Sequence, residues 1–433
     1  MMLSALRYFF AFTFVYGSAV YAADADSLQI QIDQLTQKVA ELEQQVQNNR
    51  QSVARLFSNR IQDAVSLNGF ASFGVSKTSA NNKDNAPYYY GQKKDLSVLP
   101  NTWFGLRLDA KLYETGEMII QVIGKGNDNE SLEVKTEWFF LKQDLGAGFN
   151  AHIGRIRFPT YLDSEVLYVG NLYPTVAPAA EIYSVLSVNY LDGASLNHSF
   201  AVGDWTMDTK MILWGQAETG RLGNLVKLDE VQGVALSFSN ENWTLRTGIF
   251  RGHKTIQIDQ PANHIISSPI DVDIHDRLDY FTSAVRFDDR RFHFTAEGVA
   301  INSKQEMLDE VHNWNVVVGA YIGNTLLYTG FSRQHVSNLD QLIEQHNERL
   351  PAVTLASPAV SVPAGTVFAN YFNRQQRAIQ IGVKHDITPK VALKGQIQYL
   401  SNFENSHGNF APQVNLPSFS HVIIYDMALQ AFF

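Results

Sequence analysis

A chain of 433 residues would fill about three average soluble domains, although one large β architecture can absorb the same length. Its 45% hydrophobic and 18% charged content excludes a disordered chain and falls below the roughly 25% charge of ordinary soluble domains, so something other than water covers part of the surface. A net charge of -9 argues against a nucleic-acid binder, and the absence of cysteine removes thiolate nucleophiles, disulfide frameworks and cysteine-ligated zinc together.

Arg7 precedes the apolar run Tyr8 to Val15, and small residues follow to Ala22 and Ala23. This predicts a secretory signal peptide over 1–22, cut after Ala22, with a cut after Ala25 as the alternative. The run is shorter than the ~20 residues a spanning helix needs, and no later segment reaches that length. Over 23–62, Gln, Glu and Asp surround a heptad with Ile32, Val39, Val46 and Val53 at a and Leu28, Leu35, Leu42 and Leu56 at d. The pattern predicts a coiled coil, with polar breaks at Asn49 and Arg60. A lone amphipathic helix lying on its own domain is the competing reading. β-Branched a with Leu d favours a parallel dimer in isolated peptides, which an attached domain with its own symmetry can override.

Over 63–433 the period becomes 2. Phe104, Leu106, Leu108, Ala110 and Leu112 alternate with Gly105, Arg107, Asp109 and Lys111. Leu132, Val134, Thr136, Trp138 and Phe140 oppose Glu133, Lys135 and Glu137, and the closing segment to Phe433 alternates in the same way. Tight turns are expected at Glu114-Thr115-Gly116, Leu145 to Gly148, Gly203-Asp204, Asn240 to Asn242, Asp288 to Arg290, Gly323-Asn324 and Ile387 to Pro389. Every second connection between them is expected to be long and polar, as in Lys77 to Lys94, Gly252 to Asp276, His335 to Gln376 and Ser401 to Pro417. Short turns at one end and long loops at the other predict a transmembrane antiparallel β-barrel of about 16 strands. In hydrocarbon a closed sheet leaves no backbone group unpaired, lipid takes the apolar face, and the polar face encloses water. Trp103, Trp205, Trp243 and Trp314 are candidates for interfacial girdles.

The Leu67-Asn68-Gly69-Phe70 opening, the Gly154 to Pro159 segment, Asn197-His198-Ser199 before Gly203-Asp204-Trp205, and the terminal Phe433 resemble a Gram-negative outer-membrane porin of the group with an N-terminal coiled coil. The resemblance covers Asn68 to Phe433. It implies a bacterial outer-membrane location with the coiled coil in the periplasm, a homotrimer, and a terminal aromatic read by the assembly machinery. It also implies that the third loop, Phe158 to Asn189, folds into the lumen as a constriction.

Within that frame Arg155 and Arg157 are expected to face Asp163 or Glu165 across the pore, or else to form local ion pairs that stiffen the loop. Lumen cations are expected at Arg107, Lys111, Lys125, Lys135, Lys210, Arg286, Lys384 and Lys394, each placed by opposition to an apolar neighbour. They suggest a mild anion preference, which the acidic loop groups complicate. The expected function is passive diffusion of small hydrophilic solutes, without cofactor or metal. A substrate-specific porin for phosphate, dicarboxylate or sugar is the near alternative. A plugged barrel tethering the envelope is a second, its coiled coil touching peptidoglycan or envelope proteins. No HExxH, GxSxG or GxxxxGK[ST] arrangement supports a metalloenzyme, a nucleophilic triad or a phosphate cradle, which argues against an enzyme such as a barrel lipase. Asp271 to Asp276 matches no EF-hand spacing and reads as a solvated acidic loop.

Overall fold

The computed structural model describes residues 64–80, 88–126, 132–186, 188–221, 224–258, 272–304, 308–349, 353–354, 361–363, 373–404, 406–410 and 420–433, together with 38, 39 and 42. The chain divides into two units, 1–64 and 65–433. In the first, Lys38, Val39 and Leu42 are helical. The predicted signal peptide and the rest of the heptad seam lie outside the described residues.

The second unit is built from β1 (Val65–Thr78), β2 (Trp103–Tyr113), β3 (Gly116–Gly126), β4 (Leu132–Gly146), β5 (Phe149–Arg157), α1 (Ala180–Tyr183), β6 (Tyr190–Val202), β7 (Trp205–Arg221) and β8 (Asn224–Ser239). It continues through β9 (Trp243–Ile258), β10 (Val272–Asp288), β11 (Phe292–Ser303), β12 (Val311–Ile322), β13 (Thr325–Gln334), α2 (Leu339–Arg349), β14 (Val353–Thr354), β15 (Ser361–Val362), β16 (Gln376–Thr388), β17 (Val391–Ser401) and β18 (His421–Phe432). Sixteen of these strands form one closed antiparallel barrel in which β18 pairs back onto β1, while β14 and β15 form a separate two-stranded sheet. The seam runs from Phe70 opposite Phe432 to Thr78 opposite Ile424, and Gly69 and Phe433 exchange both backbone hydrogen bonds, at 3.0 and 2.8 Å.

All the predicted tight turns fall at one end of the barrel. At the other end two connections are shorter than expected: residues 127–131 join β3 to β4, and 222–223 join β7 to β8. The segments read as loop at Gly252 to Ile258 and Val272 to Asp276 are strand, and they lengthen β9 and β10 beyond the apolar band.

The faces separate as the alternation requires. In β18, Val422, Ile424, Asp426, Ala428 and Gln430 are buried inside while Tyr425 is exposed outside. In β4 the expectation fails. A register shift opposite Gln121 and Val122 inserts Glu137 as an extra residue, so the strand changes face there. Trp138 is 6% exposed and faces inward with Phe140, whereas Phe139 is 53% exposed outside. Trp103 is likewise no girdle residue, because it is buried and its indole N–H donates 2.9 Å to the Tyr168 carbonyl. Trp243 and Trp314 stay exposed.

An apolar core fills part of the barrel. Tyr161, Ile182, Tyr183, Val185 and Leu186 from the segment between β5 and β6 pack against Ile156, Leu191, Tyr280, Val299 and Ile301 of the wall. A second cluster joins Tyr88, Phe403 and Phe410 to Ala180 and to the inward Ala378, Leu400, Val422 and Ile424. Each fully buried side chain of this size contributes about 1.5–3 kcal/mol.

Candidate functional site

The third-loop segment, residues 158–189, lies inside the barrel and is fastened at successive points. At its start, Arg246 donates 2.9 Å to the Pro159 carbonyl, and the Leu162 amide donates 2.7 Å to Glu297. Arg286 grips both oxygens of Asp163 at 2.8 Å. Further on, Lys384 donates 2.8 Å to the Asn171 carbonyl. The Lys394 ammonium reaches the carbonyls of Gly170, Tyr173 and Thr175, the latter two at 2.6 and 2.7 Å. Gln396 accepts from the Val176 amide at 3.3 Å and Gln430 donates to its carbonyl at 3.0 Å. At α1, Asn313 donates 2.6 Å to the Glu181 carbonyl, and Gln376 donates to the Glu181 carboxyl. Tyr89 and Tyr90 close over the top, donating to the carbonyls of Tyr183 at 2.7 Å and Pro178 at 2.9 Å.

The eight predicted lumen cations therefore separate into two groups. Arg286, Lys384 and Lys394 point inward but are spent on the loop, and Lys394 is 1% exposed. Arg107, Lys111, Lys125, Lys135 and Lys210 also point inward, by register and alternation. Arg107 bonds Asp109 at 2.9 Å, Lys135 bonds Glu133 at 3.1 Å and Lys210 bonds Glu165 at 3.1 Å. Lys125 stands 5.3 Å above the Tyr90 ring.

Arg155 and Arg157 need correction. Gly154 sits at φ +129°, where a Cβ would lie 2.4 Å from the Phe139 carbonyl oxygen, so only glycine fits the backbone there. Beyond it Ile156 and Leu191 face inward and are fully buried, while Arg155 lies opposite Asp192 on the outer face. Its guanidinium takes both Asp192 oxygens at 2.8 Å and covers the Tyr190 ring at 4.0 Å. Arg157 ends the strand buried, bound to Glu137 and to the Ser164 carbonyl. Neither arginine forms an ion pair with Asp163 or Glu165; Arg157 instead holds the loop locally, through the Ser164 carbonyl. Those carboxylates are held by Arg286 and Lys210.

Sequence reasoning missed Glu137, Glu297, Gln376 and Gln430 as fastenings of the loop. The glutamines and acids that interrupt an inward face were the available signal, since a polar side chain buried in a barrel needs a partner. Burial pushes the Glu181 carboxyl above the ordinary carboxylate range, against the pull of donors such as Gln376. A folded-state value above the unfolded one contributes stability below the ordinary glutamate range and loses it as pH rises through the raised value. Wild-type protein in detergent is therefore expected to lose thermal stability on alkalinisation across that window, and Glu181→Gln to flatten the slope. Equal slopes in the two proteins would remove Glu181 from this account.

No protein-family model matches the sequence, and no curated protein matches it. Among solved structures, OmpT of Vibrio cholerae expressed in the outer membrane superposes with TM-score 0.52 at 9% identity, over 85% of this chain and 97% of that one. An in-vitro folded trimer form of OmpT superposes with TM-score 0.50 at 9% identity, over 85% and 99%. An anion-selective porin from Comamonas acidovorans gives TM-score 0.49 at 9% identity, over 86% and 99%. At such identities the likeness is one of fold.

Proposed function

We propose that the chain is a porin of the bacterial outer membrane, passing small hydrophilic solutes by passive diffusion through a trimer of barrels. On this reading a signal peptide over 1–22 is removed and a periplasmic coiled coil over 23–62 precedes the barrel at 63–433. The observation that carries it is the distribution of inward charge. Arg107, Asp109, Lys111, Glu117, Lys135 and Lys142 on β2 to β4 keep contact with solvent, whereas the inward side chains of β16 to β18 are largely sealed under the loop. The passage then runs off-centre along β2 to β7, past the Glu165–Lys210 pair. Most of its cations have a carboxylate within 3.1 Å, so the selectivity it supports is weak.

Planar-bilayer recording on the purified protein tests this. Stepwise ohmic channels are expected. Lys210→Ala leaves Glu165 unpaired beside the passage and shifts the reversal potential toward cations. A unit charge about 8 Å from a passing ion in water is worth about 0.5 kcal/mol, roughly a twofold change in permeability ratio. Arg155→Ala, on the outer face, is expected to leave the ratio unchanged. The dense fastening of the loop favours one second reading, a plugged barrel that tethers the envelope; absence of any conductance would select it.

A further inference from the structure

Arg333 and Arg377 stand directly opposite one another in the β13–β16 ladder. Their chain neighbours Ser332, Gln334, Gln376 and Ala378 are buried inside, so by alternation both guanidinium groups leave the outer face. Like charges directly opposite in a sheet repel. Several other outward cations at this end of the barrel are matched, Arg155 by Asp192, Lys227 by Glu218, and Arg251 and Lys304 by Asp279; Lys77 and Arg277 have no ion pair among the described residues, but they stand opposite Tyr425 and His253 rather than a second guanidinium. Among the described residues, the guanidinium groups of Arg333 and Arg377 have no ion pair or hydrogen bond. An uncompensated pair of this kind fits a place where the compensating charge belongs to another molecule.

The surroundings specify that molecule. The same register row continues through Trp314 on one side and Ser401 and His421 on the other. His421 stacks on Tyr399 with centroids 5.7 Å apart and meets the Ser420 hydroxyl through Nδ1 at 3.1 Å. The next row toward the tight turns is Val316, Phe331, Ile379, Tyr399 and Ile423, and the one beyond it holds Ile381, Ile397 and Tyr425. Ile379, Ile381, Ile397 and Tyr425 are all exposed. A doubly cationic spot with an aromatic at its edge thus sits at the head of a wall of exposed hydrocarbon.

We propose that Arg333 and Arg377 jointly bind a phosphate group of an acylated lipid in the outer leaflet, whose chains lie along the Phe331, Ile379 and Tyr399 wall. Guanidinium forks match phosphate oxygens bidentately, and one anion between the two arginines turns their repulsion into attraction. A free phosphate would answer the charge but not the apolar wall beneath it. A second copy of the chain would need to bring a carboxylate to the row. The proposal rests on the outer-membrane reading, because it takes the outer wall to meet acyl chains.

The test is thermal unfolding of purified full-length protein in detergent with lipid A, dephosphorylated lipid A or inorganic phosphate added, on wild type, Arg377→Gln and the Arg333→Gln/Arg377→Gln double variant. Lipid A is expected to raise the midpoint of wild type by several degrees and to lose most of that effect in the double variant. Without lipid the variants should match or exceed wild type, since a repulsion has been removed. An equal lipid A shift in wild type and double variant, or an equal shift from dephosphorylated lipid, overturns the site. An equal shift from inorganic phosphate overturns the lipid assignment, and a lipid-independent loss of the oligomer in the double variant assigns the row to a second copy instead. Conductance of the same samples is the separate control: its absence throughout would sink the channel reading while the lipid shifts still decide this one.

Discussion

Replacing Lys394 with methionine is expected to free the middle of the third loop and to give the largest change in channel behaviour of any single substitution. The ammonium is the common donor to the carbonyls of Gly170, Tyr173 and Thr175, and it also stands 4.5 Å over the Tyr173 ring. Methionine fills much of the volume and donates nothing. A buried acceptor stripped of its donor costs about 1–3 kcal/mol, so three of them weaken docking by about 3 kcal/mol even if water reaches the site. That is roughly a hundredfold rise in the undocked fraction, at about 1.4 kcal/mol per tenfold. Single-channel records of Lys394→Met should show new conductance levels or long-lived noise, and protease should cut between Gly170 and Thr175. Quiet currents together with an uncut loop would mean that the remaining fastenings suffice.

Removing Arg286 is expected to be the most destabilising change at the loop's first half. Asp163 and Arg286 are both largely buried, and Glu297 lies beside them with one oxygen on the Leu162 amide. Truncating one partner of a buried ion pair costs about 3–5 kcal/mol, because the other charge is stranded. Arg286→Met strands one carboxylate beside another and should sit at the upper end, whereas Asp163→Asn keeps a hydrogen-bond acceptor and should sit below it. The double variant should recover part of the loss. Denaturant unfolding of the four proteins in detergent measures that coupling; simple additivity would show that the pair does not act as a unit.

The barrel was legible because a closed sheet with an apolar outer face and a polar inner one alternates at every step, and the period-2 pattern records it. Strand number and the placement of tight turns follow from the same constraint. The bulge at Glu137 was not legible. An extra residue changes which side Trp138 occupies without leaving a break in the alternating letters, so the sequence reads smoothly across a point where the strand changes face. The length and place of the inward loop were visible, but its partners lie far away in sequence. Lys394 bonds Gly170, 224 positions earlier, and nothing local distinguishes a lysine that faces water from one that faces three carbonyls. Arg155 was misplaced for a related reason, since the unusual backbone at Gly154 decides its side and a glycine alone does not announce φ.

The seam between Gly69 and Phe433 bears on the order in which this molecule can come together. Until the last strand arrives, the sheet has two open edges and cannot exist in hydrocarbon without unpaired backbone groups. The fastenings of the inward loop share that dependence, for Lys394, Gln396 and Gln430 lie on the two final strands and reach back to Gly170 and Val176. Contacts so distant along the chain form late, because the entropy of closing the intervening stretch must be met first. Synthesis therefore delivers the inward segment long before the side chains that fasten it, and the incomplete barrel carries that segment loose.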